Sequence, residues 1–240
     1  HLSIRRQRQM CIRDRLIWLL VLVLALVFGP NLWVRWVMRR YAEDLEGMPG
    51  TGGELAEHLI KELNLDGVGV EVTAVGDHYD PTDRKVRLSE ANYQGRSLTA
   101  VAIAAHEVGH AIQHDRGDKR LLLRTSLVTF ADRAARLSAA AIWLAPIIGL
   151  LTRHPVPVSV MVGLGLAGLF GRMLLHMVTL PLEWDASFAK ALPILTAGNY
   201  LPVSQRSPVV RILRAAALTY VAAALADVLN LARWAVLLRR

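Results

Sequence analysis

Residues 16–34, LIWLLVLVLALVFGPNLWV, constrain the fold more than any other stretch: about 19 positions pass without a charge, enough for a helix to cross a bilayer. Three more apolar blocks follow. Residues 137–152 are uncharged for 16 positions, short for a span, and helix from Ser126 onward extends them if Asp132 and Arg133 face protein or the interface. Residues 156–180 are long enough, with Gly163, Gly165 and Gly168 permitting close helix contact and Arg172 and His176 in the last third. Residues 215–238 carry Asp227 and Asn230. Buried helices of a soluble bundle would also be apolar, but the lengths, and the charges gathered near the block ends, favour spans. The hydrophobic share of 53% and a mean hydropathy of +0.33 exceed what a soluble core needs.

The formal net charge of +8 is partly local. Residues 1–15, HLSIRRQRQMCIRDR, hold five Arg, one Asp and the only cysteine, Cys11. They resemble a translated adaptor read-through more than a targeting signal and are expected to be a non-native leader. Without them 23 basic side chains face 19 acidic ones, so a nucleic-acid reading loses half its electrostatic support and no nucleic-acid partner is expected. No thiolate ligand or disulfide framework remains either.

The polar part lies between the first two blocks. From Thr51 to Asn64 a capping residue precedes Leu55, Leu59, Ile60 and Leu63 at helical spacing. VGVEVTAV alternates, GDHYDPTDRK supplies turn residues, and VRLS alternates again, which predicts a β-hairpin. SLTAVAIAAHEVGHAIQHD then predicts a helix capped by Ser97. Helix, hairpin and helix in this order match the small α+β layout of a zincin.

That last helix carries His106-Glu107-Val108-Gly109-His110. Histidines four apart project from one helix face about 6 Å apart along the axis, so both imidazoles can reach one Zn²⁺ at about 2.0–2.1 Å. Glu107 is rotated about 100° from His106 and can take a proton from an attacking water. A metzincin would require Gly and His three and six residues after His110, but Gln113 and Arg116 stand there. His114 lies too far along the rigid helix to close the same sphere and reads as a surface or supporting histidine. A carboxylate from a second helix is the remaining common solution, and the best candidate is in TLPLEWDASFAKAL, where Pro181 would start a helix with Glu183 in its first turn. Asp185 would face elsewhere and orient a ligand imidazole. Both carboxylates are equally the kind that the helix dipole favours at an N-terminus. His78 and Asp80 in DHYDP can line a cleft, though Asp-Pro is first a turn signal; His176 is a weak substitute ligand. Tyr220 would stabilise an oxyanion if it reaches the metal, or else pack as an ordinary core aromatic.

The ordered segments DHYDP, VRLSEANY, AAHEVGHAIQH, VTLPLEWDAS and RAAALTYVAAAL, with hydrophobic blocks between them, resemble the YugP-type membrane-bound zinc metallopeptidases over nearly all of residues 16–238. Val108 stands where that family would have Cys, and Trp184 where it would have Phe. The resemblance implies a neutral, gluzincin-like zinc peptidase with His106, His110 and Glu183 as ligands and Glu107 as catalytic base; Asp185, His78 and Tyr220 are supporting or substrate-facing candidates on the reading of the residues themselves. The expected fold is a mainly α membrane protein: about four transmembrane helices with a small zincin-like α+β unit. After the leader come a first transmembrane helix at 16–36, the catalytic region at 41–136, a transmembrane hairpin at 137–180, the segment with the third ligand at 181–214 and a last transmembrane helix at 215–238. The expected activity is zinc-dependent endopeptidase cleavage of peptides or proteins, membrane proteins among them; the competing reading is a catalytically silent, zinc-holding membrane scaffold or chaperone-like subunit. Arg35, Arg39, Arg40, Arg133 and Arg136 flank the motif and Lys190, Arg206, Arg211 and Arg214 follow Glu183, against Arg153 in the hairpin loop. The positive-inside rule then puts the catalytic region in the cytoplasm of a bacterium, on its plasma membrane, with Arg239 and Arg240 opposing.

Overall fold

The computed structural model describes residues 2–237. Arg239 and Arg240, invoked for sidedness, lie outside the described residues, as do the side chains of residues 1–16, Asp132, Asp227 and Asn230. The chain is mostly helical with one small sheet.

Helix α1, Leu2–Arg40, includes an apolar stretch, Val21–Arg40, long enough to cross a membrane. A polar unit follows. Helix α2, Gly52–Glu62, starts at a reciprocal cap: the Thr51 hydroxyl accepts from the Glu54 amide at 3.2 Å, and the Glu54 carboxylate accepts from the Thr51 amide at 2.8 Å. Its Ala56, Leu59 and Ile60 are buried.

The expected two-stranded hairpin is replaced by three strands. β1, Gly69–Thr73, pairs parallel with β3, Lys85–Ser89, while β2, His78–Asp80, pairs antiparallel on the other side of β3. DHYDP is therefore mostly strand, and its turn begins at Asp80, whose carboxylate accepts from the amides of Thr82 (2.8 Å) and Asp83 (3.3 Å). The central strand explains the arrangement: Val86 and Leu88 are fully buried on one face, and on the other Arg87 pairs with Glu71 of β1, Asp80 of β2 and Asp83 of the turn. One guanidinium thus ties three segments together, which a simple hairpin cannot use.

After the short α3, Glu90–Gln94, helix α4, Leu98–Asp115, begins as expected at Ser97, whose hydroxyl accepts from the Ala100 amide at 3.1 Å. Residues 98–113 of α4 are all buried, so it forms the centre of the polar unit rather than a surface helix.

Helices α5, Lys119–Thr152, and α6, Pro155–Trp184, form an antiparallel pair joined at Arg153 in the left-handed conformation (φ 48°). A Cβ on Gly168 would stand 2.0 Å from the Ser138 hydroxyl, so this glycine permits the close contact; Gly163 faces open space. Pro181 does not start a helix. The helix continues without a break, and α6 passes through Pro181 before widening into a π-helix at Asp185–Ala191. α7, Leu192–Ala197, a 3₁₀ turn at Val203–Gln205 and α8, Arg206–Leu237, complete the chain. Pro155–Ala197 and Val203–Ala226 also meet the length and hydropathy of a span, making three; α5, bent by 40° between Lys119–Ala141 and Trp143–Thr152, makes a fourth if counted as one broken span.

Candidate metal centre

His106 and His110 occupy successive turns of α4, and Glu183 comes from the last turn of α6. One ligand atom of each lies within 4.8 Å of the other two, and all three residues are buried. Glu183 Oε2 faces both histidines, 3.2 Å from His106 Nε2 and 3.3 Å from His110 Nε2. The approach depends on Gly109: a Cβ there would stand 2.8 Å from the Ala186 carbonyl oxygen of the π-helix.

The outer nitrogens decide what this cluster can hold. Gln113 Nε2 donates to the Leu182 carbonyl (3.0 Å) and to Asp185 Oδ2 (2.7 Å), so its Oε1 must face His110 Nδ1, at 2.8 Å, and accept. The Ser187 hydroxyl donates to the Leu213 carbonyl (3.2 Å) and therefore accepts from His106 Nδ1 at 3.0 Å. In both rings Nδ1 is thus the donor to a fixed acceptor, and Nε2, facing a carboxylate oxygen, is the nitrogen left to bind a metal. Two imidazole Nε2 atoms and a carboxylate oxygen converging in a buried space need a proton or a metal cation among them. The donor set fits a divalent metal of the zinc type.

Glu107 lines the same cavity, of about 230 Å³, together with Asp77, His78, Arg124 and Tyr220. Burial pushes its carboxyl up to about 7, with the nearby Glu183 and Asp77 carboxylates acting in the same direction. A larger cavity of about 600 Å³ lies between α5 and α6, but its walls are almost wholly apolar.

The expected residues are thus largely brought together, with changes of role. Asp185 touches neither ligand imidazole; it reaches His110 through Gln113 and is itself held by Lys190 Nζ at 2.8 Å. His78 lines the cavity with its Nδ1 bonded to the Gly76 carbonyl at 2.8 Å, and Tyr220 lines it while accepting a hydrogen bond from Arg124. His114 bonds Tyr79 Oη at 2.8 Å and is not one of the three clustered residues. His176 packs its ring 6.0 Å from that of Tyr220 and is likewise not part of that group. Gln113, Ser187 and Arg124 were not anticipated as site residues. Gln113 follows His110 by three positions and Ser187 follows Glu183 by four, spacings that put each pair on one helix face; nothing in the sequence links Arg124 to Glu183.

The model of a family described as "Putative neutral zinc metallopeptidase" matches residues 16–239. The "Putative membrane protease YugP" of Bacillus subtilis (strain 168) is 33% identical over 220 residues, which covers 91% of this chain and 94% of that protein. No solved structure matches the chain.

Proposed function

The chain belongs to the neutral zinc metallopeptidase family, and on that premise we propose that it is a membrane-bound zinc endopeptidase whose metal is held by His106, His110 and Glu183. The observation that carries this reading is the convergence of two imidazole Nε2 atoms and one carboxylate oxygen in a buried space. A zinc ion bound there supplies Lewis-acid polarisation to a scissile carbonyl and to an attacking water.

The chain's own groups do the rest. Glu107 is the general base: its carboxylate takes the proton of the attacking water and later gives it to the leaving amine. Ser187 and Gln113 hold the imidazoles in the tautomer that leaves Nε2 free, and Asp185 fixes Gln113. His78 and Tyr220, which both line the cavity, are placed to touch substrate. The polar unit of α2, the sheet and α4 serves as a zincin-like catalytic region, and a peptide or protein, membrane proteins included, is the proposed substrate. Among the described residues the cluster has three members and no fourth ligand, which supports a catalytic role over a purely structural zinc scaffold.

The test is metal content and casein or peptide hydrolysis by the detergent-purified protein, with Glu107→Gln and Glu183→Ala beside it. About one zinc per chain and cleavage are expected for the wild type. Glu107→Gln should keep the metal and lose cleavage, and Glu183→Ala should lose both. A wild type that binds no zinc overturns the reading.

A further inference from the structure

Glu183 has two carboxylate oxygens in a site where it is 2% exposed, and they face different partners. Oε2 faces the two histidines; Oε1 accepts no hydrogen bond among the described residues and is paired by charge with Arg124 Nη2 at 3.2 Å. Arg124 comes from the first turns of α5, a helix that otherwise presents Leu122, Leu123 and Phe130 outward, more than half of each exposed. An arginine near the end of an apolar helix ordinarily extends towards the membrane interface and water. This one turns into the cavity. Its Nη2 also donates to the Tyr220 hydroxyl, and its guanidinium carbon lies 5.4 Å from the centre of the Tyr220 ring.

We propose that Arg124 is a positioning residue for the metal centre: held by Tyr220, it sets a counter-charge beside Glu183 Oε1, so that Glu183 turns Oε2 to the metal. The inference rests on the metal-site reading above. Three physical effects support it. A buried carboxylate oxygen needs a counter-charge, and Arg124 supplies one on the side away from the histidines. A carboxylate oxygen drawn towards a fixed positive charge is biased against turning to chelate with both oxygens, which favours a free position for substrate. The guanidinium keeps its charge when buried and hydrogen-bonds the phenol while facing the carboxylate, which the single ammonium of lysine does less well. Arg124 also makes α5 a direct supporter of the metal centre, although α5 contributes no ligand to it.

The experiment uses the full chain in detergent, comparing Arg124→Gln, Arg124→Lys and Tyr220→Phe with the wild type. Zinc affinity is measured by chelator competition, and the visible absorption band is recorded after substitution with cobalt. Arg124→Gln is expected to weaken zinc by about tenfold or more and to change the energy or intensity of the cobalt band, as Glu183 gains freedom to use both oxygens. Arg124→Lys should restore part of the affinity. Tyr220→Phe, which keeps the ring and the packing, should move both readouts in the same direction by a smaller amount, so the inference stays testable if Arg124→Gln does not fold. Wild-type affinity and an unchanged cobalt band in both Arg124→Gln and Tyr220→Phe overturn the inference and leave the peptidase reading standing. A wild type that binds neither zinc nor cobalt overturns both.

Discussion

Glu107 is 7% exposed, and its carboxyl is pushed up to about 7 from an ordinary value of 4.5, so in metal-free protein it keeps its proton well above the usual glutamate range. A carboxyl raised in this way contributes stability that is fully present below 4.5 and is lost as pH rises through about 7. The loss amounts to about 3 kcal/mol once the group is ionised. Metal-stripped Glu107→Gln should therefore gain on metal-stripped wild type as pH climbs from 5 to 8, by up to about 3 kcal/mol. Thermal unfolding in detergent at those two pH values measures this, and a difference independent of pH would contradict it. Gln113 is the other residue with a specific demand. Replacing it with Leu leaves His110 Nδ1 without its acceptor, and zinc affinity is expected to fall about 10- to 100-fold in a chelator competition.

Between elements, the contact that builds the site is α4 against the π-helix, with Gly109 at the crossing. The atom facing the absent side chain is a backbone oxygen of Ala186, which cannot move without taking the π-helix with it. Gly109→Ala should therefore cost about 1–3 kcal/mol and loosen the metal by displacing Glu183 from the histidines, visible as a lower Tm and less zinc retained per chain after dialysis. Wild-type values for both would show that the crossing adapts. The sheet has its own tie in Arg87, which holds Glu71, Asp80 and Asp83 together. That tie keeps β2, with His78, against the cavity.

Across the whole molecule, the cavity is lined by residues near the C-terminal ends of α1 and α6 (Met38, Glu183), near the start of α5 (Arg124) and in the first half of α8 (Ala216, Thr219, Tyr220). Four long helices that alternate in direction thus bring like-sided ends together, and the proposed chemistry sits where their apolar stretches begin. With the positive-inside rule this end is expected to face the cytoplasm. Single cysteines at Gly117 and His154, in a Cys11→Ser background, test it in intact cells: an impermeant maleimide added outside should label position 154 and not position 117. The reverse pattern would invert the topology.

The sequence alone located the apolar runs long enough to span, because an uncharged run must match the thickness of a bilayer, and put the two histidines of the motif on one helix face, because four residues return a helix to the same side. It also determined the caps at Thr51 and Ser97, which are local hydrogen bonds. Glu183 could be named as a candidate ligand, but the expected helix start at Pro181 was wrong, since a proline forgoes one ladder bond without having to end a helix that packing holds on both sides. Tertiary structure decided the parallel pairing of β1 with β3, because alternation marks a strand without naming its partner. It likewise decided the roles of Ser187, Gln113 and Arg124. Their partners lie 81, 72 and 96 residues away in His106, Asp185 and Tyr220, and contacts across such distances depend on how helices pack, which no local pattern records.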